Sequence, residues 1–262
     1  MTDARVAAAG LAVAVGVATA VVVTPAHAVA PPTWKSRMAA AERYAQARSG
    51  TITFAVVDEA GRLHGYHARA VAPSASVLKA MLLVAYLDRP SVESRPLRPP
   101  DRALVGPMIQ RSDNAAAGRV LGIVGPARLR ALAHRAGMRR FTPVTGIWGL
   151  SRIDAADQAR YFLDIDEYVT PRHRAYAMHL LNSITPTQRG GIARVKPIGW
   201  RLYFKGGWGS GTGWVDHQVA LLTRGDERVS VAILTHLDGS QAYGDETLRG
   251  IALRLLKGLP AG

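Results

Sequence analysis

The run Val77–Leu87 (VLKAMLLVAYL) constrains this chain more than any other stretch, because every residue in it except Lys79 is apolar or Tyr. A helix that is apolar all round offers no face to water and has to be enclosed by the rest of the molecule. Just ahead of it stand Pro73-Ser74-Ala75-Ser76, so a hydroxyl (Ser76) and an amine (Lys79) lie three residues apart where the buried run begins. On a helix that spacing puts both side chains on one face. The free N–H groups and positive dipole end of a helix N-terminus favour negative charge developing beside Ser76. The same residues also admit a plainer reading, with Ser74 or Ser76 as a helix cap and Lys79 as a solvated surface residue.

The chain has the length and apolar content to enclose such a helix. Its 262 residues, 48% of them hydrophobic, suit one large domain or two small ones. The first segment reads as a leader. Arg5 precedes an apolar run of eighteen residues, Val6 to Val23, and Ala26-His27-Ala28 has the form of a cleavage site before Val29. Residues 1–28 are therefore expected to be a cleaved signal peptide, and the mature protein to be secreted, with cell-wall association possible. The run is just long enough to span a bilayer, so the membrane enters only if the leader is retained. With no cysteine, the chain has no disulfides, thiol catalysis or thiolate metal sites.

The formal net charge of +14 is carried almost entirely by arginine. On an exported protein that charge attracts anionic cell-wall polymers or membrane surfaces. Nucleic acid is not expected, since there is no basic stripe interleaved with aromatics, no Cys/His finger and no recognition-helix pattern. His134, His173, His179, His217 and His236 show no metal-ligand spacing, so no metal and no cofactor is anticipated.

Read in order, the periodicities predict a helix over Thr33–Arg48, a strand over Thr51–Val57 and a hairpin return over Leu63–Ala68. The buried helix follows, then a proline-rich extended connection from Arg89 to Pro100. Helical patterns run from Asp101 to about Ile123, Pro126 to Arg135, Ser151 to Asp164 and Pro171 to Ile184, with an irregular loop from Arg139 to Leu150. Strand signals return at Trp200–Phe204, Val215–Thr223 and Val229–Thr235, and Gln241–Leu259 closes the chain as a helix. Strands, helices, strands, helix implies an α+β fold, with an antiparallel sheet built from both chain ends, flanked by terminal helices, and an all-α lobe inserted. One domain is expected over 29–262, with a sheet lobe at about 33–72 and 199–262 and a helical lobe at about 73–198.

Three short motifs fall along this plan: Ser76-x-x-Lys79, then Ser112-Asp113-Asn114 in a helical region, then Lys205-Gly206-Gly207 leaving a strand. In that order they resemble the S-x-x-K, S-D-N and K-T-G set of class A β-lactamases and penicillin-binding proteins. The likeness extends to the hairpin before Ser76, the Trp200 strand leading into Lys205, and Gly239-Ser240-Gln241-Ala242 opening the last helix. The resemblance implies an α/β sandwich of the β-lactamase/transpeptidase type. It assigns Ser76 as nucleophile, Lys79 as the base that takes its proton, Ser112 as the proton carrier to the leaving nitrogen, and Lys205 as a positive charge beside Ser112. Asn114, Gly206, Gly207 and Trp208 would contact substrate, and the backbone N–H groups of Ser76 and Trp208 would form the oxyanion hole. Taken singly the motifs have plainer roles: Ser112 and Asp113 as caps, Lys205 as an edge-strand charge, Gly206-Gly207 as a bulge.

The chain departs from that pattern in three places. Class A enzymes use a glutamate between the second and third motifs to activate the deacylating water, and Ala115 to Leu150 contains no Asp or Glu; Thr142, Thr145 and Trp148 stand there instead. Gly206 replaces the Thr or Ser of the third motif, a hydroxyl that Ser210 or Thr212 would have to supply. There is no arginine between Gly209 and Thr223 to bind a substrate carboxylate. A triad on Asp216-His217 lacks the G-x-S-x-G elbow it would need. Trp200, Trp208 and Trp214 cluster around the third motif as pocket walls or as packing. The expected activity is an exported serine hydrolase forming an acyl-enzyme on Ser76 with a small-molecule β-lactam or a peptidoglycan-like substrate, acting as a monomer. Alternatives are a D-Ala-D-Ala peptidase or esterase of the same chemistry, or a catalytically weak relative that binds cell wall.

Overall fold

The structure is a computed structural model that describes residue 1, residues 31–211 and residues 213–260. Beyond Met1, the expected signal peptide, 1–28, lies outside the described residues, as does Thr212. One compact unit runs Pro31–Gly262.

It opens with helix α1 (Trp34–Gln46), whose N-cap Thr33 accepts from the Ser36 N–H. The antiparallel pair β1 (Thr51–Val57) and β2 (Leu63–Tyr66) follows. A short strand β3 (Val71–Pro73) and a 3-10 turn (Ala75–Val77) lead into α2 (Leu78–Leu87), every residue of which is buried. The helical lobe continues through α3 (Pro90–Glu93), α4 (Pro99–Gln110) and α5 (Asn114–Arg135). Gly125 breaks α5 with a φ of +72°, a conformation glycine adopts without strain. After a loop, β4 (Arg152–Asp154) pairs with β3, and α6 (Ala155–Leu163) and α7 (Pro171–Asn182) complete the lobe. The chain then returns as β5 (Arg201–Gly209), β6 (Val215–Arg224) and β7 (Glu227–His236), and ends in α8 (Gln241–Leu256), capped by Ser240.

The main sheet is antiparallel with order β2-β1-β7-β6-β5, so both chain ends build it, as the sequence predicts. Helices α1 and α8 pack together on one side, and α6 packs against β1, β6 and β7. With apolar cover on both faces, β1 reads as a continuous buried run rather than an alternating one, only Thr51 being exposed. No helix among the described residues is long and apolar enough to cross a membrane.

Local structure differs from the sequence reading at three points. Arg89–Pro100 is not simply extended: α3 occupies its start, and α4 already begins at Pro99, where proline's fixed φ suits a first helical position. The expected helix from Asp101 to Ile123 is broken at Arg111–Asp113, with Ser112 at a φ of +57°. Residues 152–154 extend into β4, because pairing with β3 satisfies their backbone groups before α6 starts at its Asp154 cap.

Candidate active site

Ser76 sits in the 3-10 turn ahead of α2, after Ala75, whose φ of +42° is uncommon for a residue with a side chain. Neither nearby serine caps α2. Its N-cap is Val77, which makes no side-chain cap bond, and the Ser74 hydroxyl donates to the carbonyls of Ala75 (3.3 Å) and Gly149 (3.4 Å). Strand β5 passes directly over the turn. A Cβ at Gly207 would lie 2.7 Å from Ser76 N and 2.8 Å from Val77 N, so glycine is what lets the strand approach the turn this closely.

Both lysines are buried, and both reach the same hydroxyl. Lys79 Nζ donates to Ser112 O (2.5 Å), Ser112 Oγ (3.0 Å) and Asn114 Oδ1 (2.8 Å). Lys205 Nζ donates to Ser112 Oγ (3.1 Å) and Gly206 O (2.7 Å). The left-handed turn at Ser112 aims its carbonyl and side chain at Lys79, while Asp113 caps α5 by accepting from Ala116 N at 2.7 Å. Burial pushes the Lys79 amine down to about 7, with the Asp113 charge partly opposing it. Burial, and then the Lys79 charge, pushes Lys205 down to about 7 as well. Two ammonium groups around one hydroxyl in a dry site repel each other. When one loses its proton, the Ser112 hydroxyl can accept from the charged amine and donate to the neutral one.

Residues 91–259 match the model of a family described as the beta-lactamase enzyme family. The chain belongs to that family. The matched span holds Ser112, Asn114 and Lys205 and begins after Ser76 and Lys79. No curated protein matches. Among solved structures, the chain is similar to a beta-lactamase from Sphaerobacter thermophilus (TM-score 0.74, 19% identity, 86% of this chain and 97% of that one). It is also similar to an ancestral class A beta-lactamase (0.71, 18%, 84% and 98%) and to a beta lactamase from Xanthomonas campestris pv. campestris (0.72, 15%, 86% and 97%). At these identities the likeness is one of fold.

In this beta-lactamase family member, Ser76, Ser112, Asn114 and Trp208 line a cleft of about 680 Å³. Asp and Glu are absent from its described lining; Trp148 and Ile147 form one wall, and the Trp148 ring centre lies 4.9 Å from Lys79 Nζ. Gly206 and Gly207 line an adjoining chamber of about 600 Å³ that shares Ser112, Gln188 and Trp208 with the cleft. Gln188, which donates to Arg111 O at 2.8 Å, belongs to no motif, so its place in both walls emerges only from the fold.

The plainer readings of the third motif do not hold. Lys205 lies on the edge strand but is only 1% exposed, and β5 pairs with β6 without interruption from Arg201–Thr223 to Gly209–Val215, so Gly206-Gly207 is not a bulge. His217 is buried, with Nε2 at 2.8 Å from Pro73 O and Nδ1 accepting from Thr235 N, and burial pushes it down to about 4. It serves as a structural link between β6 and the start of the turn.

Proposed function

We propose that this family member is an exported serine hydrolase that forms an acyl-enzyme on Ser76 with β-lactams or related amides and esters. The observation that carries this reading is the convergence of two buried lysines on Ser112 Oγ, at the wall of the cleft that Ser76 also lines.

Ser76 Oγ attacks the substrate carbonyl as neutral Lys79 takes its proton, and the new C–O bond forms while the oxyanion is held by the N–H groups of Ser76 and Trp208. On collapse the C–N or C–O bond to the leaving group breaks. Ser112 passes its proton to the leaving atom and is reprotonated from the lysine pair. Asn114, bonded to Lys79, fixes the amine and offers its amide to the acyl side chain. Hydrolysing the acyl-enzyme needs a base for water, and among the described residues the cleft lining holds no carboxylate. Release is therefore slow.

A fluorescent penicillin tests the reading: wild type should become labelled covalently, with Ser76→Ala unlabelled, and equal labelling of both proteins would refute it. D-Ala-D-Ala peptidase and esterase activities are the same chemistry on other leaving groups. The net charge of +14 and Gly206 favour a second reading, a weak catalyst held on anionic cell wall. Binding to purified wall that survives high salt would count against it.

A further inference from the structure

The chamber beyond β5 is lined in part by Asp216 on β6, Asp245 on α8, Gln218 and Arg194, with Gly206 and Gly207 along one side. Asp216 is 7% exposed, yet its carboxyl makes no hydrogen bond or ion pair among the described residues; only its backbone is tied, through Thr235. Helix α8 passes close to that carboxyl: a Cβ at Gly244 would lie 2.6 Å from Asp216 Cβ and 3.0 Å from its Oδ2, so glycine is what lets the helix approach it on that side. Asp238, close by, is already engaged, accepting from Thr235 Oγ1 at 2.5 Å. Arg194 makes no ion pair with Asp216 or Asp245 among the described residues, and its charge acts on Glu246. Burial first, then the charges of Asp245 and Asp238, pushes Asp216 up to about 8. A buried carboxyl without a partner is costly, and a cation that fits beside it removes that cost.

Ser112, the proton carrier to the leaving atom, stands in the shared wall, with Ser76 on the cleft side and Asp216 on the chamber side. The chamber therefore receives the departing half of the substrate. We propose that it is an ammonium subsite: Asp216 and Asp245 bind a primary amine carried on the leaving group, while Gly206 brings no hydroxyl to a carboxylate and no arginine lies between Gly209 and Thr223. This rests on the acyl-enzyme reading, and the chemical class it selects is an ester or amide whose leaving group is cationic.

Three phenylacetyl esters, of 3-(aminomethyl)phenol, 3-ethylphenol and 3-hydroxyphenylacetic acid, supply matched leaving groups with ammonium, neutral and carboxylate substituents. With each kcat/KM divided by the ester's own rate with hydroxide, wild type should favour the ammonium ester over the neutral one at least 10-fold, with the carboxylate ester slowest. In Asp216→Asn, a near-isosteric change, the preference should fall towards one, and Asp245→Asn, on the half-exposed partner, should reduce it in part. A preference for the carboxylate ester, or an ammonium preference that survives Asp216→Asn, overturns the subsite. If none of the esters acylates the protein, the ester arm of the acyl-enzyme reading fails, and the fluorescent penicillin still decides acylation at Ser76. The subsite is then read by calorimetry on Ser76→Ala: 3-(aminomethyl)phenol should bind more tightly than 3-ethylphenol and lose that advantage when Asp216→Asn is added, and equal binding of the two phenols refutes it.

Discussion

A Cβ at Gly207 would meet Ser76 N at 2.7 Å, whereas one at Gly206 would meet nothing nearer than His217 O at 3.7 Å. The neighbouring glycines therefore respond differently to substitution. Gly207→Ala should cost about 1–3 kcal/mol in urea unfolding, by forcing β5 off the turn, and should sharply slow acylation. Gly206→Ser should fold like wild type and acylate at least as fast, since an ordinary side chain fits there. Lys79→Ala should slow acylation by roughly 10²–10⁴-fold, and in wild type the acylation rate should climb with pH through about 7 as the lysine pair gives up a proton. That Lys79, Ser112, Asn114 and Lys205 meet was legible in the sequence through the three motifs that resemble the β-lactamase set. The Trp148 ring over Lys79 and the unpartnered Asp216 were not, because both arise from chain segments far apart in sequence meeting in the fold.

The break between α4 and α5 shows what an element contributes to the site. Asp113 caps α5 and its charge raises Lys79, so Asp113→Asn, which keeps a good cap, should move the acylation pH profile to lower pH. Asp113→Ala should give the same shift and also lose about 1 kcal/mol of stability. In α2, Leu82→Ala should cost about 2–5 kcal/mol, read as a loss of urea midpoint, because Leu82 is fully buried and its removal leaves a cavity. Long periodic elements such as α1, β1 and α8 were readable from hydrophobic spacing. The α4–α5 break was not, since Arg111-Ser112-Asp113 holds neither Gly nor Pro, and Ser112 takes its left-handed φ where its carbonyl and hydroxyl meet lysines from distant parts of the chain. The β3–β4 ribbon escaped notice because three-residue strands are too short to show a period.

At the scale of the molecule, buried titratable groups make stability depend on pH with opposite signs. Asp216 sits at about 8 when folded against an ordinary value of 3.8, so between those limits the folded state holds a proton that the unfolded state releases, and stability falls as pH rises. Asp216→Asn removes that loss, so its urea midpoint should gain on wild type between pH 5 and pH 8. Lys79 and Lys205 are lowered from 10.5 to about 7; there the unfolded state binds the protons, and stability rises with pH between about 7 and 10.5. The sheet assembled from both chain ends brings Lys205 on β5 against Ser112 between α4 and α5, beside a cleft whose described lining holds no carboxylate, and the proposed reading is that this site acylates Ser76 and releases the product slowly. An intact-mass time course after mixing mature protein with a small excess of benzylpenicillin tests both halves of that account. It should show one covalent adduct that forms fully on wild type, is absent from Ser76→Ala, and persists after free drug is removed. An unmodified mass throughout, or an adduct that also forms on Ser76→Ala, would contradict the account's claim of acylation at Ser76, and rapid return to the free mass would contradict its claim of slow release.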